Sequence, residues 1–117
     1  MRMTEVDFDG RVPIDGYGPG FFRIEDKVVE GNILMGDQGM VRWDGLSDVA
    51  AAIRELAGHD VVFIGMGAEI AHLPPEASAA FQEAGLAYEI MGTAAACRTY
   101  NVLISEGRQI GAALLAV

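Results

Sequence analysis

The side chains with the widest chemical range in this chain are one cysteine, two histidines and scattered carboxylates. Glycine strings add backbone amides that could be brought close to a ligand. Cys97 falls near the start of an expected helix, where the helix dipole can lower a thiol pKa. A nucleophilic thiol also needs a base held beside it. The only histidines, His59 and His72, fall at a helix exit and in a loop, and no spacing sets either beside Cys97. The sequence therefore favours a small buried or half-buried side chain over a reactive one. His59 and His72 lack metal-ligand spacing with a second histidine or cysteine. Glu69 and His72 are three apart but in a loop, so no metal site is expected. Asp7, Asp9 and Asp15 make a solvated acidic face. No catalytic residue is assigned, and no cofactor is called for.

Three segments are candidates for a ligand- or partner-facing surface. Gly65-Met66-Gly67-Ala68 leaves an apolar run, as ligand loops do at strand ends in open α/β sheets. It lacks the third glycine of a dinucleotide fingerprint and the Lys-Ser/Thr of a phosphate loop, and a tight strand exit is the commoner role of such a pair. Gly92-Thr93 opens a helix whose free amides and dipole favour an anion, with Arg98 on the next turn. The plainer alternative is a capped helix with Arg98 solvated or paired to an acid. Gly16-Tyr17-Gly18-Pro19-Gly20, followed by Phe21-Phe22, fixes a tight path beside aromatic rings that must pack somewhere. It is either a loop laid across the domain or one whose backbone faces a ligand or partner.

These residues need elements to position them. Before Ala50 there is no alanine, and Gly, Asp, β-branched and aromatic residues dominate. Val6–Phe8, Phe21–Ile24 and Met40–Trp43 are expected strands, with turns at Asp9-Gly10, Glu25-Asp26 and Asp37-Gln38-Gly39. Val28-Val29 is expected to run on into Ile33-Leu34-Met35 as one strand bent at Gly31. From Ala50 onward apolar runs alternate with alanine-rich segments. Ser47 suits the N-cap of a helix ending near Ala57, with Val49, Ala50, Ile53, Leu56 and Ala57 on one face. Val61–Ile64 has the unbroken apolar pattern of a strand covered on both sides. Pro75 and Glu76 open a second helix with Ala77, Ala80, Phe81 and Ala84 inward, and Gly85 ends it. Leu86–Met91 is the next strand. Thr93 caps a third helix that reaches about Glu106, with Ala96, Tyr100, Leu103 and Ile104 inward. Ile110–Val117 is apolar enough to be a central strand. The expected architecture is α/β: a single domain of three layers, a mixed central sheet with helices on both faces, and extra β structure from the N-terminal part. Residues 1–45 form the β-rich part and 46–117 the alternating part.

Composition narrows the function further. The chain has 117 residues, 51% of them hydrophobic, with 8 basic and 17 acidic residues and a net charge of −9. This suits one self-sufficient core. It argues against nucleic acid or an anionic membrane surface as the main partner, because counterion release needs clustered Lys and Arg. The single cysteine excludes an internal disulfide. Acidic residues follow Met1 at once and no apolar run is long enough to cross a bilayer, so no membrane insertion and a cytoplasmic location are expected.

Several strings then occur in a telling order: Gly16 to Phe22, Trp43, Gly65-Met66-Gly67, Leu73-Pro74-Pro75, and above all Thr93 to Leu103, trailed by Glu106-Gly107-Arg108 and Ala112-Ala113-Leu114. Together they resemble the domain-of-unknown-function family that contains mitochondrial respiratory complex I assembly factor 3. The resemblance implies a three-layer α/β fold, no established enzyme activity, and work through partner proteins. Its mitochondrial members help assemble NADH:ubiquinone oxidoreductase, and some bacterial relatives are linked by gene neighbourhood to protein export. The expected function is thus a non-enzymatic assembly factor with respiratory or export subunits as partners, and homo-oligomerisation open. The rival expectation is a binder of small molecules or anions, or an enzyme, that uses the glycine loops.

Overall fold

The computed structural model describes residues 11–69 and 71–117. The expected strand Val6–Phe8, the turn Asp9-Gly10 and the acids Asp7 and Asp9 lie outside the described residues.

Strands β1 (Gly16–Gly18), β2 (Phe21–Ile24) and β3 (Lys27–Glu30) form an antiparallel sheet in the order β1-β2-β3. Pro19-Gly20 makes the first two-residue turn. Gly20 sits at φ +79°, the left-handed backbone that a Pro-Gly turn requires at its second position. Glu25-Asp26 makes the second turn at φ 53° and 66°, where most hairpins place Asn or Gly. The Glu25 amide donates to Asp15 Oδ2 at 2.9 Å.

The remaining strands are β4 (Asn32–Gly36), β5 (Gly39–Trp43), β6 (Val61–Gly65), β7 (Tyr88–Met91) and β8 (Ile110–Leu114). They form one five-stranded sheet ordered β5-β4-β8-β6-β7. The sheet is mixed: β4 lies antiparallel to β5 and β8, while β6 lies parallel to β7 and β8. The bent strand expected through Gly31 is two strands in two sheets. Gly31, at φ +89°, turns the chain out of one and into the other.

Three helices cover this sheet: α1 (Val49–Leu56), α2 (Pro75–Glu83) and α3 (Thr93–Ser105). The three layers follow from the period-two alternation of buried strands. Ile33, Met35, Phe63, Ala112 and Leu114 face α3 and the small sheet, where they meet Phe22, Ile24, Val29, Ala96, Tyr100 and Ile104. Leu34, Val62, Ile64 and Ala113 face the opposite way, onto α1 and α2 through Ala52, Leu56, Ala77 and Phe81. Every residue of β8 is buried, as a strand with layers on both faces must be.

Local details correct several expectations. A short 3-10 turn, Gly45–Asp48, precedes α1, so the cap is Asp48, whose carboxylate accepts from the Ala51 amide, and not Ser47. Ala50, Ala57 and Ala84 are exposed, because the inward stripes run through Ala51, Ala52 and Leu56 on α1 and Ala77 and Phe81 on α2. Gly92 holds the N-cap position of α3 and Thr93 is its first helical residue. Strand β7 starts at Tyr88, and β8 ends at Leu114.

Candidate functional site

The candidate segments meet where β8 runs out. The Leu115 amide donates to Gly65 O at 2.9 Å, the Ala116 amide to Asn32 Oδ1 at 2.8 Å, and the Gly20 amide to Val117 O at 2.8 Å. Gly31 N–H closes the ring by donating to Gly20 O at 2.9 Å. Thr93 is the centre of this hub. Its hydroxyl donates to Leu115 O at 2.7 Å and accepts from Gly67 N–H at 2.8 Å, while its own amide donates to Gly67 O at 2.9 Å. A single side chain thus joins the exits of β6 and β8 to the start of α3.

This arrangement explains why glycine stands at the end of β6. A Cβ on Gly65 would lie 2.9 Å from Thr93 Cα, closer than atoms pack. Met66 N–H is spent on Met91 O at 2.9 Å. The carboxyl end of β6 is where an open α/β sheet offers a ligand its crevice. Here Thr93 and residues 115–117 fill that space. The first amide of α3 also points into protein rather than at an anion.

Cys97 faces the sheet and is buried. Burial pushes its thiol up to about 11, and the neighbouring Arg98 charge offsets this only in part. At neutral pH it is a thiol, not a thiolate, despite standing in the first turns of a helix. His59 is committed elsewhere. Its Nδ1 lies 3.0 Å from Leu56 O and its Nε2 accepts from the Asp37 amide at 3.1 Å. A carbonyl can only accept, so Nδ1 carries a proton and donates it to Leu56 O. His72 is exposed in the loop before α2. Among the described residues no group of three or more His, Cys, Asp or Glu side chains is placed to hold a metal ion.

Of the other candidates, Tyr17 is 42% exposed at the rim of the small sheet. Gly18 lies beneath the Phe21 ring, which would be 2.5 Å from a Cβ there. Arg98 points outward from α3 and lines an open groove of about 350 Å³ with Thr99, Val102 and Leu103.

Two features escaped the sequence. Asn101 grips the backbone of Ile14 twice: Oδ1 accepts from its amide at 2.9 Å and Nδ2 donates to its carbonyl at 2.8 Å. Beside it the buried Tyr100 hydroxyl donates to Val12 O at 3.2 Å. Burial raises the Tyr100 pKa, opposed by the Arg11 guanidinium, which lies over the ring at 5.9 Å. The only advance signal was a polar residue adjoining a buried aromatic on one helix. The second feature is a polar cleft of about 390 Å³ beside the Gly31 hinge, lined by Glu30, Asn32, Arg42, Trp43, Asp44 and Asp48. Its floor is fixed by Trp43 Nε1–H donating to Asp48 O at 2.8 Å.

The family model described as a protein of unknown function (DUF498/DUF598) matches residues 14–115, nearly all of the elements above. The chain belongs to that family. It is 50% identical to an uncharacterised protein of Rhodobacter capsulatus, over 98% of this chain and 93% of that one. It is 31% identical to NADH dehydrogenase [ubiquinone] 1 alpha subcomplex assembly factor 3 of Mus musculus, over 98% of this chain and 66% of the mouse protein. Among solved structures, one described as an outer membrane protein from Bartonella henselae superposes with a TM-score of 0.80 at 36% identity. The match covers 95% of this chain and 99% of that one. The solution structure of a Bordetella pertussis protein, an Mth938-like domain, superposes at 0.78 with 23% identity over 98% and 92% of the two chains, and shows the fold alone. The α/β reading and the family resemblance drawn from the strings above are both borne out. In this DUF498 member, the string that carried most of the resemblance, Thr93 to Leu103, is α3 itself. Thr93, Ala96, Tyr100 and Asn101 use it to join the layers. Among the described residues no helix is long and apolar enough to cross a membrane.

Proposed function

We propose that this DUF498 member is an assembly factor that acts by binding other proteins beside a membrane complex and performs no bond-making step of its own. The observation that carries this reading is the match to the mouse complex I assembly factor, which runs through 98% of the chain. Two features of the site support it. The strand-exit crevice is filled by Thr93, and the one cysteine is a buried thiol with no base beside it. The partner-facing surface in this reading comprises Tyr17, Pro19 and Gly20 on the small sheet. Its partners are subunits of a respiratory or an export complex, met from the cytoplasmic side.

Affinity capture of the tagged chain from gently solubilised cells, followed by mass spectrometry, tests the proposal. The expected result is repeated enrichment of subunits of one membrane complex, lost in Tyr17→Ala. Capture of the bait alone in every replicate would overturn it.

The polar cleft beside Gly31 favours a second reading, a small polar ligand held by Arg42 and Asn32. A thermal-shift screen of small polar metabolites separates the two. A true ligand at about 100 times its dissociation constant adds about 2.7 kcal/mol, and the shift should vanish in Arg42→Ala.

A further inference from the structure

The outer face of α3 carries a pattern that is complementary to itself. Val102 stands in the last turn of α3 and is 54% exposed. Arg98 lies four residues before it and Glu106 four after, and both are exposed. At about 100° per residue, this i, i+4, i+8 series runs as one stripe along the helix. Arg98, Thr99, Val102 and Leu103 line the open groove of about 350 Å³ along that stripe. A cation stands at one end, an anion at the other and an apolar residue between them. Turned end over end about an axis through Val102, the stripe offers Glu106 to Arg98 and Arg98 to Glu106. A two-fold interface requires this kind of match, because one patch must fit its own copy.

We infer that the occupant of this groove is a second copy of the chain. It docks antiparallel through α3, with Val102 against its counterpart and two reciprocal Arg98–Glu106 ion pairs. The order of charges along this face fits it to its own copy. At a net charge of −9, most surfaces of two copies repel. Arg11 donates to backbone carbonyls and Arg54 pairs with Glu55, while Arg23, Lys27 and Arg108 are exposed but lie off this stripe. Among the described residues neither Arg98 nor Glu106 forms an ion pair within its own chain. A parallel pairing would set like charges together, so the antiparallel one is specified. One helix pair covers less than the roughly 1,200–2,000 Å² of stable interfaces, so the dimer is weak and sensitive to salt.

Sedimentation equilibrium of the full chain and its variants, with folding checked by circular dichroism, tests the inference. The wild type should dimerise at a dissociation constant on the order of 100 µM once moderate salt screens the repulsion between two chains of net charge −9. Arg98→Glu alone makes both pairs repulsive and should weaken the dimer by about 10- to 30-fold, as should Glu106→Arg alone. The double swap should return it to within about 3-fold of wild type, and Val102→Asp should leave a folded monomer. A wild type that stays monomeric to about 1 mM in moderate salt would overturn the inference, whether the groove is empty, holds another protein or holds part of its own chain. So would a dimer that either single charge reversal leaves intact, or a double swap no tighter than the single ones.

Discussion

Replacing Thr93 by valine keeps the shape of the side chain and removes only its hydroxyl. That hydroxyl serves two partners, the Gly67 amide and the Leu115 carbonyl, in a spot where Thr93 is 0% exposed. Valine strands a donor and an acceptor where water cannot replace them. Each buried group left unmatched costs about 1–3 kcal/mol, so Thr93→Val should destabilise the fold by about 3 kcal/mol. Serine is the control. It retains both hydrogen bonds and loses one methyl group, at a cost of about 1 kcal/mol. Urea unfolding followed by circular dichroism reads both, and the slope with denaturant should be unchanged if the native and unfolded ensembles keep their compactness. In a thermal melt the valine variant should fall by about 10 °C or more and the serine variant by a few degrees. If valine proved no worse than serine, or lay within about 0.5 kcal/mol of wild type, Thr93 would not be the tie between the strand exits.

The other expectations concern separate parts of the fold. Gly65→Ala drives a methyl group into Thr93 at 2.9 Å and should cost about 2 kcal/mol, read by the same unfolding experiment. Asn101→Ala removes both hydrogen bonds to Ile14 and should cost about 2 kcal/mol, with faster amide exchange at Ile14 as its signature. Cys97 should resist thiol reagents at neutral pH until the protein unfolds. Its folded pKa of about 11 stands above the unfolded 9.0, so the unfolded chain loses its proton first. Stability should therefore decline as pH rises from 9.0 towards 11, by an amount on the order of 2 kcal/mol. Cys97→Ala should flatten much of that decline. At the second turn, Asn-Gly in place of Glu25-Asp26 should raise the melting temperature, since two side chains now hold positive φ at a cost of about 1 kcal/mol each.

The alternation of apolar strings with capped helices made the second half of the chain legible. β6 and β8 are unbroken apolar runs because layers cover both their faces, and Pro75 and Gly85 bracket α2 where punctuation residues should. The N-terminal part was harder. A glycine between two β-branched runs marks a bend equally well whether the strand continues or passes into another sheet, and only the partners of β3 and β4 decide. Helix faces were blurred by alanine, which fits inside and outside alike, and Ala50, Ala57 and Ala84 went the wrong way. At the site, Gly65, Gly67 and Thr93 stood out singly. The hydrogen bonds of Thr93 to Gly67 and to Leu115 span 26 and 22 positions along the chain, a distance no local pattern reports. The grip of Asn101 on Ile14, 87 positions away, was invisible for the same reason.

The place of β8 bears on how the molecule is made in the cell. It comes last in chain order among the described strands, yet it sits between β4 and β6. While a ribosome is still adding residues before 110, the hairpin of β4 with β5 and the pair of β6 with β7 have nothing to join them. The nascent chain then shows two raw strand edges and two unfinished apolar faces, which invite a chaperone or a wrong neighbour. Arrival of β8, rather than growth of either half, is the step that completes the sheet.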